Sequence, residues 1–210
     1  MSTLAEIRDA IEYDLKDTAN ALWSADELDE HIRRALRLIN RIAPRRLSTT
    51  LPSVAAQYEY DLSSIAGLLA VVDVWYPYDA GDPQYPPTRP RWTLIAEDLL
   101  LLWDCDPSGD SADAIRIFYT VEHTIAGLDG AGSTTLDAQQ EQLIILAATA
   151  YAAQQMAQYS IGRVTVSGWT PTQYLRWAQE RVSAYRCAIA EYRQQVALQQ
   201  PSTVPIEGTV

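Results

Sequence analysis

The spacing of apolar residues predicts two helices at the start of the chain. In the first stretch they recur at intervals of three and four, as on one face of a helix: Leu4, Ile7, Ile11 and Leu15. A second stretch, residues 28–42, has the same period and ends before Pro44, because proline disfavours helix at the residue that precedes it. Each stretch starts with a capping box, Thr3 with Glu6 and Ser24 with Glu27, which satisfies the first free N–H groups.

Between residues 54 and 121 the period changes to two, which predicts strands. Apolar and polar residues alternate over residues 54–60 and 115–121. Runs rich in Val, Leu and aromatic residues cover residues 68–76, 91–97 and 99–103. Together they predict a small antiparallel sheet with a proline-rich loop at residues 77–90.

The helical period returns after residue 133. Residues 137–159 are rich in alanine, which allows a neighbouring backbone to approach closely. A last helix is predicted to open at Thr170 and Pro171, with proline in the first turn. Its apolar stripe follows a heptad spacing: Leu175, Ala178, Val182, Tyr185, Ile189, Tyr192 and Val196.

The predicted fold class is mainly α with a β insertion. We expect a helical bundle of about four helices, with the small antiparallel sheet inserted between helices 2 and 3. Residues 1–46 and 134–199 are assigned to the bundle, residues 47–133 to the inserted β element, and residues 200–210 to a C-terminal tail.

Composition narrows the function classes. Among 210 residues, 27 acidic side chains against 16 basic ones give a net charge of −11, which disfavours tight binding of nucleic acid over the whole surface. An acidic wall can still surround DNA and let it slide. No apolar run reaches the roughly 18 residues of a membrane helix, the N-terminus lacks signal-peptide features, and Cys105 and Cys187 lack metal-ligand spacing. We expect no membrane association.

Two features offer chemistry, and each has a plainer explanation. The turn with Asp104, Asp106 and Asp110 matches the start of a calcium loop, but Ile115 occupies the position of its final acid. His123, next to Glu122, could act as an oriented general base. One alternative is therefore a small metal-assisted hydrolase that uses these residues. A solvated turn and a structural histidine at a sheet–helix junction are the favoured interpretations, with no catalytic residue, metal or cofactor.

Aromatic and basic clusters suggest contact with other proteins instead. Trp75 and Trp92 are expected in the core of the sheet, whereas the tyrosines in and beside the proline-rich loop are candidates for an inter-subunit or tail-side contact: Tyr76, Tyr78 and Tyr85. A basic run ends the second helix, where cations are favourable. Its last members, Arg41, Arg45 and Arg46, are candidates for contact with a partner or with DNA in a lumen.

Two segments of the chain resemble the head-to-tail adaptors of tailed bacteriophages, the neck proteins beneath the portal. The first is the opening helix pair, with residues 22–28 (LWSADEL) followed by residues 32–35 (IRRA). The second runs from residues 117–125 (IFYTVEHTI) through residues 133–137 (STTLD) into an alanine-rich helix centred on residues 146–153 (LAATAYAA). The resemblance spans most of the chain, although small adaptors lack the β insert.

The resemblance implies a structural protein of the virion neck, assembled in the host cytoplasm, and not an enzyme. It implies a homo-oligomeric ring of about twelve copies that joins the portal to a downstream stopper, tail or nozzle protein, with DNA passing through without sequence-specific binding. The C-terminal helix and tail would reach the portal through a common set of residues: Tyr185, Ile189, Tyr192, Val196, Val204 and Ile206. A generic helical protein-interaction module is the other alternative.

Overall fold

A computed structural model describes residues 2–17, 21–96, 98–110, 113–160 and 171–199. Within these ranges the chain forms four helices and six strands. In chain order they are α1 (Leu4–Leu15), α2 (Ala25–Ile42), β1 (Arg45–Leu51), β2 (Glu59–Asp61), β3 (Leu68–Tyr78), β4 (Arg91–Ile95), β5 (Leu99–Trp103), β6 (Ala114–Val121), α3 (Ala138–Ser160) and α4 (Pro171–Gln199). The chain divides into a helical unit, Met1–Ala43 with His123–Val210, and a β unit, Pro44–Glu122.

The two predicted capping boxes are confirmed. The backbone N–H of Thr3 donates to the Glu6 carboxylate at 2.7 Å, and the N–H of Glu6 donates back to Thr3 Oγ1 at 3.4 Å. Ser24 and Glu27 form the same pair at 2.9 and 3.3 Å. Both hydrogen bonds from the N-cap residue favour the ionised carboxylate and hold the pKa of Glu6 and of Glu27 below the usual value.

The core of the helical unit is formed by the apolar stripes of all four helices. Fully buried isoleucine and leucine side chains from α1, α2 and α3 meet there: Ile7, Ile11, Leu28, Ile32 and Ile144. The alanine-rich centre of α3 is also buried, because small side chains let the neighbouring helices approach closely. No helix in the described part of the chain combines the length and the apolar character of a membrane span.

The β unit contains two three-stranded antiparallel sheets, so the predicted single sheet was wrong. Sheet A has the order β1-β6-β3, and sheet B has the order β2-β5-β4. Both sheets turn side chains into one shared core: Tyr60, Leu62, Val71, Val74, Tyr76, Leu100, Leu102, Ile115 and Ile117. Two stacked layers let both sheets bury one face, which a single exposed sheet of this size could not do.

Two local assignments also change. The sequence does not indicate β1, because RRLSTTL has few apolar residues and starts with the two arginines that end the basic run of the second helix. Residues 54–58 were predicted as strand, but the backbone turns at Ala56, where φ is 57°, and β2 covers only Glu59–Asp61. The alternation in this stretch was therefore misleading.

The boundaries between the units lie at 43/44 and 122/123 instead of 46/47 and 133/134. Residues 123–133 belong to the helical unit because Ile125 and Leu128 are buried in its core. In addition, the N–H of Leu4, at the start of α1, donates to the carbonyl of Ala126 at 2.9 Å.

Ser24→Ala is expected to lower the free energy of unfolding by about 1 kcal/mol, because the substitution removes the side-chain acceptor of the α2 capping box. Urea denaturation measures this change. Ser64→Ala, at an exposed serine in a turn, is the matched control and should stay within about 0.5 kcal/mol of the unsubstituted chain. Equal losses in both variants would contradict the role of the cap.

Candidate assembly surfaces

The predicted portal-contact stripe of α4 is mostly buried within the chain. Tyr185, Ile189 and Tyr192 are at most 7% exposed and pack in the core of the helical unit. Tyr192 Oη accepts a hydrogen bond from Gln140 Nε2 at 2.9 Å. Burial raises the pKa of both tyrosines above the usual value. The three side chains therefore offer no surface to another protein in this structure, which corrects the sequence-based choice.

The end of α4 is more exposed than the stripe that precedes it. Val196 is only partly buried against the helical core, and Leu198 is 87% exposed. Val204 and Ile206 lie outside the described residues. Beyond the buried stripe, α4 therefore exposes apolar surface in its last turn, at Val196 and Leu198.

Of the three tyrosines predicted to make contacts outside the chain, only Tyr85 is exposed, at 71%. Tyr76 is buried, and its hydroxyl donates to the carbonyl of Asp106 and accepts from the N–H of Ser108 at 2.9 Å. Tyr78 is also buried, and its hydroxyl accepts a hydrogen bond from Arg116. Tyr76 therefore lies in the core of the β unit and Tyr78 packs against Arg116, and neither is exposed, which corrects the contact prediction for them.

The basic run of α2 divides into paired and unpaired arginines. Arg33 contacts Asp129 at 2.9 Å, and Arg37 contacts Glu30 at 3.0 Å. Arg34 lies over the ring of Tyr151, 4.1 Å from its centroid. The three arginines predicted to contact the lumen or a partner have no such pairing. Arg41, Arg45 and Arg46 are exposed and form no ion pair with any described residue.

The acidic turn makes its contacts within the β unit. Asp104 contacts Arg91 at 3.4 Å, and the Ser108 hydroxyl donates to Asp113 at 2.7 Å. Across the described ranges, no three His, Cys, Asp or Glu side chains are grouped so that they could hold a metal ion.

His123 lies between two backbone carbonyl groups of the helical unit. Nδ1 is 3.1 Å from the carbonyl oxygen of Thr135, and Nε2 is 3.1 Å from that of Ala43. The N–H of His123 donates to Asn40 Oδ1 at 2.8 Å, and Asn40 Nδ2 donates to the His123 carbonyl at 3.5 Å. These contacts are those of a structural histidine, and the described partners of the ring include no carboxylate that could orient a general base.

Sheet A has an outer surface rich in aromatic and basic side chains, which we call the aromatic face. Ile115 and Ile117 of β6 point into the core, so Arg116 and Phe118 point outward. The centroid of the Trp75 ring lies 4.6 Å from the centroid of the Phe118 ring and 6.2 Å from that of the Tyr85 ring. Cross-strand pairing puts Arg46 of β1 opposite Thr120, on the same side of the sheet as Arg116.

Sheet B has an outer surface of a different composition, which we call the leucine face. Leu100 and Leu102 of β5 are buried, so Leu99, Leu101 and Trp103 point away from the core. The neighbouring residues on this face are Glu59 and Asp61 of β2 and Arg91, Thr93 and Ile95 of β4. The sequence does not indicate this face, because the four consecutive leucines of β5 hide the alternation of inward and outward residues. The alternation in β2, where Tyr60 lies between Glu59 and Asp61, is the signal that could have indicated it.

Comparisons with known proteins give matches among solved structures alone. No protein-family model and no curated protein matches the chain. A chain in the neck of a native GTA particle, computed with C12 symmetry, is 19% identical; the match covers 85% of this chain and 86% of that one, with a TM-score of 0.31. A chain in the neck of an empty GTA particle, computed with C6 symmetry, is 17% identical, with coverages of 85% and 87% and a TM-score of 0.32.

A third match comes from the virion of a native gene transfer agent particle. It is 16% identical, covers 82% of this chain and 86% of that chain, and has a TM-score of 0.32.

His123→Leu is expected to lower the free energy of unfolding by roughly 1–3 kcal/mol, because it removes a buried ring that donates a hydrogen bond to a backbone carbonyl. Chemical denaturation measures the change. His31→Leu is the control. His31 is half-buried and contacts Gln155 at 2.7 Å, so this substitution should lower the free energy of unfolding by no more than about 1 kcal/mol. A smaller loss for His123→Leu than for His31→Leu would contradict the structural role.

Proposed function

We propose that the chain is a structural head-to-tail adaptor of a tailed bacteriophage. About twelve copies form a ring that joins the portal to a stopper, tail or nozzle protein and surrounds the channel through which DNA leaves. The ring belongs to the virion neck and is assembled in the host cytoplasm. The protein acts by binding other proteins, without a catalytic step or a cofactor.

The observation that carries the proposal is the segment most similar to the adaptors, residues 117–137. It runs from β6 through His123 to the start of α3, and Leu136, just before α3, is 1% exposed. Its side chains build an internal network: Thr134 Oγ1 donates to the carbonyl of Ser2 at 2.6 Å and accepts from the N–H of Ala126 at 2.9 Å. The residues that carry the resemblance thus fix the framework, which supports the adaptor assignment. Neck matches with TM-scores near 0.3 add no weight to it.

Charge supports the passage of DNA without recognition. The net charge is −11, and base recognition and phosphate contact both depend on Arg and Lys side chains. Several of the arginines on α2 are already paired with acidic side chains or with a ring. An acidic wall repels the DNA backbone, so DNA would slide past it. Arg41, Arg45 and Arg46 remain candidates for contact with a partner or with the lumen.

Attachment to the portal is assigned to the end of α4 and the tail that follows it. Tyr185, Ile189 and Tyr192 hold α4 in the helical core and so determine the direction in which its end projects. Val196, Leu198, Val204 and Ile206 then supply the apolar contacts. A short segment with isolated apolar residues cannot build a core of its own, so a binding partner would cover it.

The adaptor function is tested by negative-stain microscopy of the chain mixed with the portal protein encoded nearest its gene. The expected result is a portal ring extended by a second symmetric layer. Deleting residues 200–210 should abolish the layer and leave the midpoint of thermal unfolding unchanged, since the core formed by the described residues reaches no further than Val196. Leu198→Asp should weaken the layer in the same way, and exposed Gln194→Asp on the same helix is its matched control.

A bare portal beside free, folded subunits would contradict the adaptor function and favour a generic interaction module. A complete layer formed by the truncated chain would contradict the assignment of the tail alone.

A further inference from the structure

We propose that neighbouring copies meet through the β unit: the aromatic face of one copy packs on the leucine face of the next. The occupant of each face is therefore a second copy of this chain. The inference rests on the proposed ring and adds to it the two surfaces that close it.

The charges on the two faces are opposite. The aromatic face carries Arg46 and Arg116 of sheet A, and Arg89 of the loop before β4 contacts Asp73 of β3 at 3.0 Å. These three positive charges and one negative charge give a net charge of +2. The leucine face carries Glu59, Asp61 and Arg91, and Asp104, the residue after β5, contacts Arg91 at 3.4 Å. These three negative charges and one positive charge give a net charge of −2. Complementary charge steers association and fixes its orientation, and two copies of either face would repel each other.

Arg116 shows where the aromatic face lacks a partner. Its guanidinium stacks between two rings, 4.7 Å from the centroid of Tyr78 and 5.4 Å from that of Phe118. It donates to the Tyr78 hydroxyl and to Ser48 Oγ; Nε is buried, so only the outer part of the guanidinium can meet a partner. In the described part of the chain no carboxylate pairs with it. A half-buried guanidinium held between aromatic rings is suited to binding a carboxylate from outside.

The leucine face supplies carboxylates and apolar surface together. Glu59 and Asp61 are exposed on β2, opposite Leu101 and Leu99, and neither forms an ion pair within the described ranges. Trp103 is 52% exposed on the same face. Exposed tryptophan and tyrosine beside charged groups are typical of the residues that dominate protein interfaces.

The positions of the faces fit a ring. They are the two outer surfaces of one pair of stacked sheets, since both sheets turn their other side into a single core. A contact between two different surfaces on opposite sides of a subunit is heterologous, and its repetition adds copies in one direction until the ring closes. A two-fold dimer would need one surface that complements itself, which the charges disfavour.

Carbodiimide cross-linking tests the contact because the chain has one lysine, Lys16. In a Lys16→Arg background, Arg46→Lys places a single side-chain amine on the aromatic face without changing its charge. Carbodiimide joins an amine to a carboxylate only when the two are in contact. The protein is treated as an equal mixture of ¹⁵N-labelled and unlabelled chains at on the order of 1 mM, so that weak association is detected.

The expected result is a ladder of covalent oligomers in which mixed-label peptides join position 46 to Glu59 or Asp61. Adding Glu59→Gln and Asp61→Asn should abolish the ladder; all three positions are exposed, so folding should be retained. The absence of intermolecular products, or products that join position 46 only to other carboxylates, would overturn the interface. The portal-layer assay separates the two proposals: a normal layer without these cross-links would leave the adaptor function intact.

Discussion

The structure depends on a buried pair of hydrogen bonds between Asn40 and His123. The chain leaves the helical unit after Ala43 and returns to it at His123, with the entire β unit between them. Asn40 both accepts from and donates to the backbone of His123, and the imidazole ring contacts the Ala43 carbonyl at 3.1 Å. The points of exit and return are therefore fixed next to each other. This allows an insertion of 79 residues without opening the helical core.

With the Asn40–His123 hydrogen bonds in place, each unit can bury its apolar side chains in a core of its own. The helical unit buries the stripes of four helices, and the β unit buries the inner faces of two sheets. What remains exposed then differs between them. The helical unit exposes the end of α4 at Leu198, and the β unit exposes two broad sheet faces with opposite charge. In the proposed assembly the roles are divided accordingly: the end of α4 with the tail contacts the portal, and the β unit contacts the neighbouring copy.

The sequence predicts the helices well because their signals are local. The capping boxes at Thr3 and Ser24 and the three-four spacing need no knowledge of the rest of the chain. The second sheet was not predicted, because strand pairing joins distant residues and the leucines of β5 hide its alternation. For the same reason β1 was missed, since its pairing with β6 and not its composition makes it a strand.

The candidate contact residues show a further limit. The heptad stripe of α4 indicated a helix face correctly, but the chain's own bundle buries that face at Tyr185, Ile189 and Tyr192. The sequence nominates Tyr76 and Tyr78 because they are aromatic residues near a loop, but a tyrosine can equally direct its hydroxyl to an internal partner, as both do here. Residue type therefore identifies side chains that are suited to interfaces. Only the fold shows that Tyr76 and Tyr78 are buried and that Tyr85 is exposed.

Replacing residues 44–122 with a short glycine-rich linker tests the division of roles most directly. Circular dichroism with thermal unfolding would follow the helical unit, and sedimentation at high concentration would follow self-association. The account predicts a helical protein that unfolds cooperatively and does not self-associate, because the Asn40–His123 joint and the helical core remain while both sheet faces are gone. An unfolded product, or one that self-associates as strongly as the full chain, would contradict it.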